Sequence, residues 1–119
     1  MVLVVEDEEN LRDPLVHLLR LRRYEVITAE TVDSALALLQ THKPDAAIVD
    51  LQLKGGSGRD VIVRIPSHVP VIIFSGMGGA SGELERLRPR TRLIEKPASL
   101  TWLIDALDEM LVKTRQFVS

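Results

Sequence analysis

The sequence predicts a doubly wound α/β domain, a five-stranded parallel sheet with helices on both faces. Two observations carry that prediction: short apolar runs recur along the chain, and segments with helical apolar spacing stand between them. The runs are Val2 to Val5, Tyr24 to Ala29, Ala46 to Val49, Val69 to Phe74 and Arg92 to Glu95. The first, third and fourth are nearly continuous rather than alternating, as in parallel strands covered on both faces. Strict alternation of strands and helices requires right-handed crossovers, and five such strands fit the flavodoxin-like order 2-1-3-4-5.

The helices follow from the spacing of their apolar residues. Glu9 to Arg22 places Leu11, Leu15, Leu18 and Leu19 on one face, and Thr31 to Gln40 does the same with Val32, Ala35, Leu36 and Leu39. Pro14 lies beyond the first turn, where it removes one backbone hydrogen bond and is expected to bend the helix near its start. Short helices are expected around Gly58 to Ile65 and Gly82 to Arg88. The last helix has Ser99 as its cap and a stripe of Leu100, Leu103, Ile104, Leu107 and Met110 or Leu111. No repeat, low-complexity tract or linker interrupts the chain, so residues 1–119 are read as one domain.

Composition narrows the chemistry. With 45% apolar and 27% charged residues the chain has the makeup of a soluble globular protein, and no stretch approaches the roughly 20 apolar residues of a membrane span. Met1 to Val5 run straight into Glu6, Asp7, Glu8 and Glu9 without a basic leader, so a cytoplasmic protein is expected. A formal net charge of −2 argues against a dedicated nucleic-acid surface. Cysteine is absent and His17, His42 and His68 lack metal-ligand spacing, which leaves oxygen donors for any metal.

Ligands of an open parallel sheet bind beyond the carboxyl ends of its strands. Strand one ends in Glu6 and Asp7, strand three in Asp50, strand four in Ser75 and Gly76, and strand five in Lys96 and Pro97. Strand two, the outer edge in this order, ends in Ala29 and Glu30. Each residue alone has an ordinary structural reading: acids favour a helix start, and Asp, Ser and Lys are common in turns and helix entrances. Their joint placement on adjacent strands is what points to a site. Carboxylates about 4 Å apart repel by on the order of 4 kcal/mol at an effective dielectric near 20, and a divalent cation removes that penalty. Such a centre suits magnesium with phosphate oxygens. Asp50 is placed to form an acyl phosphate, Lys96 to neutralise phosphoryl charge, and Ser75 with the Gly76 N–H to bind its oxygens.

These segments, VLVVEDE, IVDLQLKGGSG, VIIFSG and LIEKP, resemble the receiver domains of response regulators, and the resemblance covers nearly the whole chain. It implies that Asp50 takes a phosphoryl group from a histidine kinase or phosphotransfer protein, with Mg2+ or Mn2+ held by Asp7, Asp50 and the backbone carbonyl of Gln52. It further implies that Glu6 acts largely through a metal-bound water, that Ser75 moves toward the phosphoryl group on activation, and that the Lys96–Pro97 bond is cis. Partners would read the face of the fourth helix, fifth strand and fifth helix, and no turnover beyond the domain's own phosphorylation and dephosphorylation is implied.

The chain departs from the pattern in four places. Leu93 replaces the usual aromatic switch residue, and Lys54 stands where Pro is common. The 25 residues from Asp50 to Ser75 imply a shortened third helix. Gly76, Gly78, Gly79 and Gly82 make the next loop permissive. Arg86, Arg88, Arg90 and Arg92 are read as a solvated charged surface, and Trp102 as core or rim packing. These Arg residues and Asp105, Asp108 and Glu109 are candidates for a symmetric dimer contact. Two rival functions stay open, a constitutive interaction module or phosphate sink favoured by Leu93, and a small phosphatase disfavoured by Gln52 two residues after Asp50.

Overall fold

The computed structural model describes residues 1–76, 83–86 and 88–118, with side chains described through residue 113. Five parallel strands form the sheet: β1 (Val2–Val5), β2 (Val26–Ala29), β3 (Ala46–Val49), β4 (Val71–Ser75) and β5 (Thr91–Glu95). Their order is β2-β1-β3-β4-β5, as the sequence predicts. Strand β4 ends one residue later and β5 starts one residue earlier than the expected runs, and two strands begin later for physical reasons. Pro70 has no N–H to give the ladder, so β4 begins after it while the Pro70 carbonyl accepts from the Ala47 N–H. The Tyr24 N–H turns back to the Leu19 carbonyl at 3.2 Å, so the β2 ladder begins only at Val26.

Helices α1 (Glu9–Leu21) and α2 (Val32–Thr41) take their expected places. Helix α1 is helical through Pro14. Thr31 caps α2 through a reciprocal pair with Ser34, satisfying orphan N–H groups at the helix start. Helix α3 (Gly58–Ile62) has five residues, matching the shortening expected from the sequence. The C-terminal helix (Leu100–Val118) starts at Ser99, whose hydroxyl accepts from the Trp102 N–H at 3.3 Å. Residues 83–86 are helical, within the predicted fourth helix, while Gly78, Gly79 and Gly82 lie outside the described residues.

Alternation along the strands divides the interior into two cores. Val2, Val4, Ala46, Ile48, Ile72 and Phe74 face Leu15 and Leu19 of α1 and Leu103, Ile104 and Leu107 of the C-terminal helix. Leu3, Val5, Ala47, Val49, Val71 and Ile73 face Ala35 of α2, Val61 and Ile62 of α3, and Leu84. Each fully buried Leu or Ile contributes about 1.5–3 kcal/mol of transfer free energy, so two filled faces hold the sheet between helical layers. With both faces filled, the sheet offers its polar chemistry only at the strand ends.

Within the arginine series Arg86 is exposed and Arg90 and Arg92 are partly exposed, but Arg88 departs from the solvated surface read from the sequence. Arg88 is buried, and its guanidinium donates to the carbonyls of Pro66 at 2.7 Å and Val69 at 2.9 Å, and to Pro89 and Thr91. The forked donor bridges carbonyl groups of the turn before β4, the Pro66 carbonyl accepting from the Val69 N–H as well. Burial lowers its pKa from the ordinary arginine value. Arg92 lies over the Trp102 ring, 5.6 Å from its centroid, and Trp102 is half-exposed rather than core.

Gly58 is the tightest point near the sheet's carboxyl edge. A Cβ there would sit 2.0 Å from the Asp50 carbonyl oxygen and 2.9 Å from Val49 Cγ1. We expect Gly58→Ala to lower stability by about 1–3 kcal/mol, since backbone rather than a flexible side chain must give way. A reduced urea midpoint with an unchanged slope would show this, and an unshifted midpoint would refute it.

Candidate phosphoryl and metal site

The residues singled out by the sequence converge where the parallel strands end. Glu6 and Asp7 follow β1, Asp50 follows β3, Ser75 and Gly76 close β4, and Lys96 follows β5. In-register pairing of β1 with β3 brings the first three together, and one carboxylate oxygen from each of Glu6, Asp7 and Asp50 lies within 4.8 Å of the others. An open cleft of about 440 Å³ is lined by Asp7, Glu8, Asp50, Gln52, Lys54, Gly76 and Lys96.

Lys96 bridges the two buried acids, with Nζ 2.8 Å from Glu6 Oε1 and 3.0 Å from Asp50 Oδ2. The ammonium lies 5.5 Å from the Phe74 ring centroid. Burial pushes Glu6 above the ordinary carboxylate range, and the Asp50 charge adds to it, against the hydrogen bond from Lys96. For Lys96, burial disfavours the ammonium, but hydrogen bonds to Glu6 and Asp50 outweigh it and raise the pKa. The Lys96–Pro97 peptide is cis, as the resemblance implied.

Backbone donors occupy further carboxylate oxygens. The Gln52 N–H donates to Asp50 Oδ1 at 3.0 Å, the Lys54 N–H to Asp7 Oδ2 at 3.0 Å, and the Glu8 N–H to Glu6 Oε2 at 3.3 Å. Gln52 and Lys54 reach these positions because Gln52–Leu53 pairs with Gly56–Ser57 in a minimal hairpin whose turn uses Gly55 at φ 79°. Ser75 is fully buried, and its carbonyl accepts from the Lys96 N–H at 3.0 Å. All the predicted site residues therefore gather at one edge, with Glu6 and Ser75 beneath the cleft and Gly76 on its wall.

Arg12 was not singled out by the sequence. Its Nη1 lies 3.2 Å from the Glu6 carbonyl and 3.1 Å from Glu30 Oε1, so α1 grips the chain at the acidic pair. A basic residue six positions after Glu6, on the first turn of an amphipathic helix, was the available signal.

A response regulator receiver domain model matches residues 2–108. The chain belongs to this family. It is 46% identical over 76 residues to the sensory transduction protein RegX3 of Mycolicibacterium smegmatis, covering 62% of this chain and 33% of that protein. It is 28% identical over 119 residues to the phosphate regulon transcriptional regulatory protein PhoB of Pseudomonas aeruginosa, covering 95% of this chain and 52% of that protein. The chain thus spans a third to a half of these curated relatives' length. Among solved structures, the receiver domain of NtrX from Brucella abortus superposes with a TM-score of 0.80 at 30% identity, over 93% of this chain and 98% of that one. A CheY-like receiver domain protein from Methanospirillum hungatei gives 0.86 at 21% identity, over 97% and 95% of the two chains, and supports the fold.

The donor set fits a hard divalent cation, since three carboxylates offer oxygens at one point and Asp7 and Asp50 border open space. Removing the lysine charge should expose the mutual repulsion of the acids. We expect Lys96→Met, free of divalent metal, to lose about 3 kcal/mol at neutral pH, the low end for breaking a buried ion pair, because Lys96 retains 18% exposure. The deficit should shrink as pH falls and Glu6, whose pKa is already raised, becomes neutral. Urea titrations at several pH values would test this, and a pH-independent deficit would contradict it.

Proposed function

We propose that Asp50 is the phosphoacceptor of a two-component phosphorelay. The carrying observation is that Asp50, on the wall of an open cleft, has the Lys96 ammonium 3.0 Å from one carboxylate oxygen and the Glu6 and Asp7 carboxylates beside it. The donor is a phosphohistidine of a histidine kinase or phosphotransfer protein. An Asp50 carboxylate oxygen attacks phosphorus, the phosphorus–nitrogen bond breaks, and the imidazole leaves with the electron pair and takes up a proton from solvent. Lys96 screens the phosphoryl charge, and the Gly76 N–H and Ser75 hydroxyl supply donors on the β4 side.

Glu6, Asp7, Asp50 and the Gln52 carbonyl would hold Mg2+ or Mn2+, with Glu6 acting through a bound water. The ion supplies charge neutralisation for the transferring group. The reaction is self-modification followed by hydrolysis, with no turnover of an external substrate, and a cytoplasmic setting suits a kinase-coupled domain. Among the described residues no helix is long and apolar enough to cross a membrane.

Output is proposed to use the face formed by residues 83–86, β5 and the C-terminal helix, through a phosphorylation-dependent population shift that needs no direct nucleic-acid contact. Leu93 packs against the second core and has no aromatic ring to rotate. That observation favours a second reading, a constitutive interaction module or phosphate sink. A homodimer through Asp105 and Asp108 must compete with Arg22, which lies 2.6 and 2.7 Å from them within the same chain.

Intact-mass spectrometry after incubation with acetyl phosphate and magnesium tests the proposal. We expect a gain of one phosphoryl group per chain that vanishes with EDTA or in Asp50→Ala. Absence of the gain with both acetyl phosphate and a phosphohistidine donor would overturn it.

A further inference from the structure

The sheet end opposite the carboxylates carries a second polar feature, one that phosphoryl chemistry does not use. A groove of about 350 Å³ runs between the chain leaving α2 and the turn before β4, lined by Leu39, His42, Lys43, Pro44, Arg64, Pro66, His68 and Val69. These residues precede β3 and β4, so the groove lies at the amino ends of the central strands. No Asp or Glu lines it; Asp45 and Asp60 flank the two segments that form it, and the Asp45 carboxylate is taken up by the N-terminal ammonium at 2.7 Å. Lys43, Arg64 and His68 are exposed, and none of them forms an ion pair among the described residues.

A second charge lies beneath this surface. Buried Arg88 donates to the carbonyls of Pro66 and Val69, and no carboxylate of the described residues pairs with it. Its charge is therefore held by backbone dipoles rather than cancelled. Those bonds also turn loop acceptors inward, so the outer face is poor in groups that would attract a cation. Pro44 and Pro66 have no N–H to offer, which leaves recognition to the side chains at the rim and to the apolar floor of Leu39 and Val69.

We infer that this groove docks an acidic segment of a partner polypeptide, its carboxylates meeting Lys43 and Arg64 and an apolar side chain resting on Leu39 and Val69. The apolar floor favours such a segment over inorganic phosphate, which has nothing to place there. The few exposed bases here, Lys43, Arg64 and His68, suit a pair of carboxylates better than the series of phosphate contacts on which nucleic-acid binding depends.

The probe is a short synthetic peptide of glutamates around a central leucine, titrated into isotopically labelled protein without divalent metal. Amide shifts should concentrate in residues 39–44 and 64–69, and Lys43→Ala/Arg64→Ala should weaken binding about tenfold or more. Lys113→Ala, an exposed charge change elsewhere, and Asp50→Ala should bind as wild type. Unchanged affinity in the double variant, or shifts spread over the surface, would overturn the inference. Tighter binding of oligothymidylate or anionic vesicles at the same residues would overturn its polypeptide assignment.

Discussion

Three carboxylates at the edge of one parallel sheet tend to drive each other apart, and the Lys96 ammonium is the group that lets two of them be buried together. It follows β5 and reaches Glu6 after β1 and Asp50 after β3, so its position depends on β1, β3, β4 and β5 keeping register. In return the cluster limits what those strands can do. A slip of one residue would reverse each side chain's face and place valines where the acids now stand. Fold and chemistry are thus coupled through a single contact spanning the sheet.

Backbone donors finish what Lys96 begins. The N–H groups of Glu8, Gln52 and Lys54 each hold a carboxylate oxygen, and Arg12 fixes the carbonyl of Glu6. The acids are therefore oriented in advance, which under the proposed phosphorylation would lower the reorganisation required. The cost is borne locally: Gly55 adopts a left-handed conformation and Gly58 passes against the Asp50 carbonyl.

Most of this was legible in the sequence because two simple regularities expose it. Continuous apolar runs mark strands buried on both faces, and the polar residue ending each run marks the site, so Glu6, Asp7, Asp50, Ser75 and Lys96 could be named without coordinates. Arg88 was misread because alternating arginines look the same whether they point to solvent or into a turn. Its burial depends on carbonyls more than 18 residues away, at Pro66 and Val69. Arg12 and the Lys54 N–H were missed for a related reason: one acts through a tertiary contact and the other through backbone that any residue except proline could provide.

The two apolar clusters share no side chain, with β1, β3 and β4 standing between them. The sheet therefore acts as a partition across which packing errors do not propagate. Sequence drift under α1 and the C-terminal helix can proceed without consulting the layer beneath α2 and α3, and substitutions on opposite sides should combine almost independently, whereas neighbours within one layer must drift together. A domain partitioned in this way can remodel one helical layer for a new partner while the other layer and the acidic edge keep their geometry.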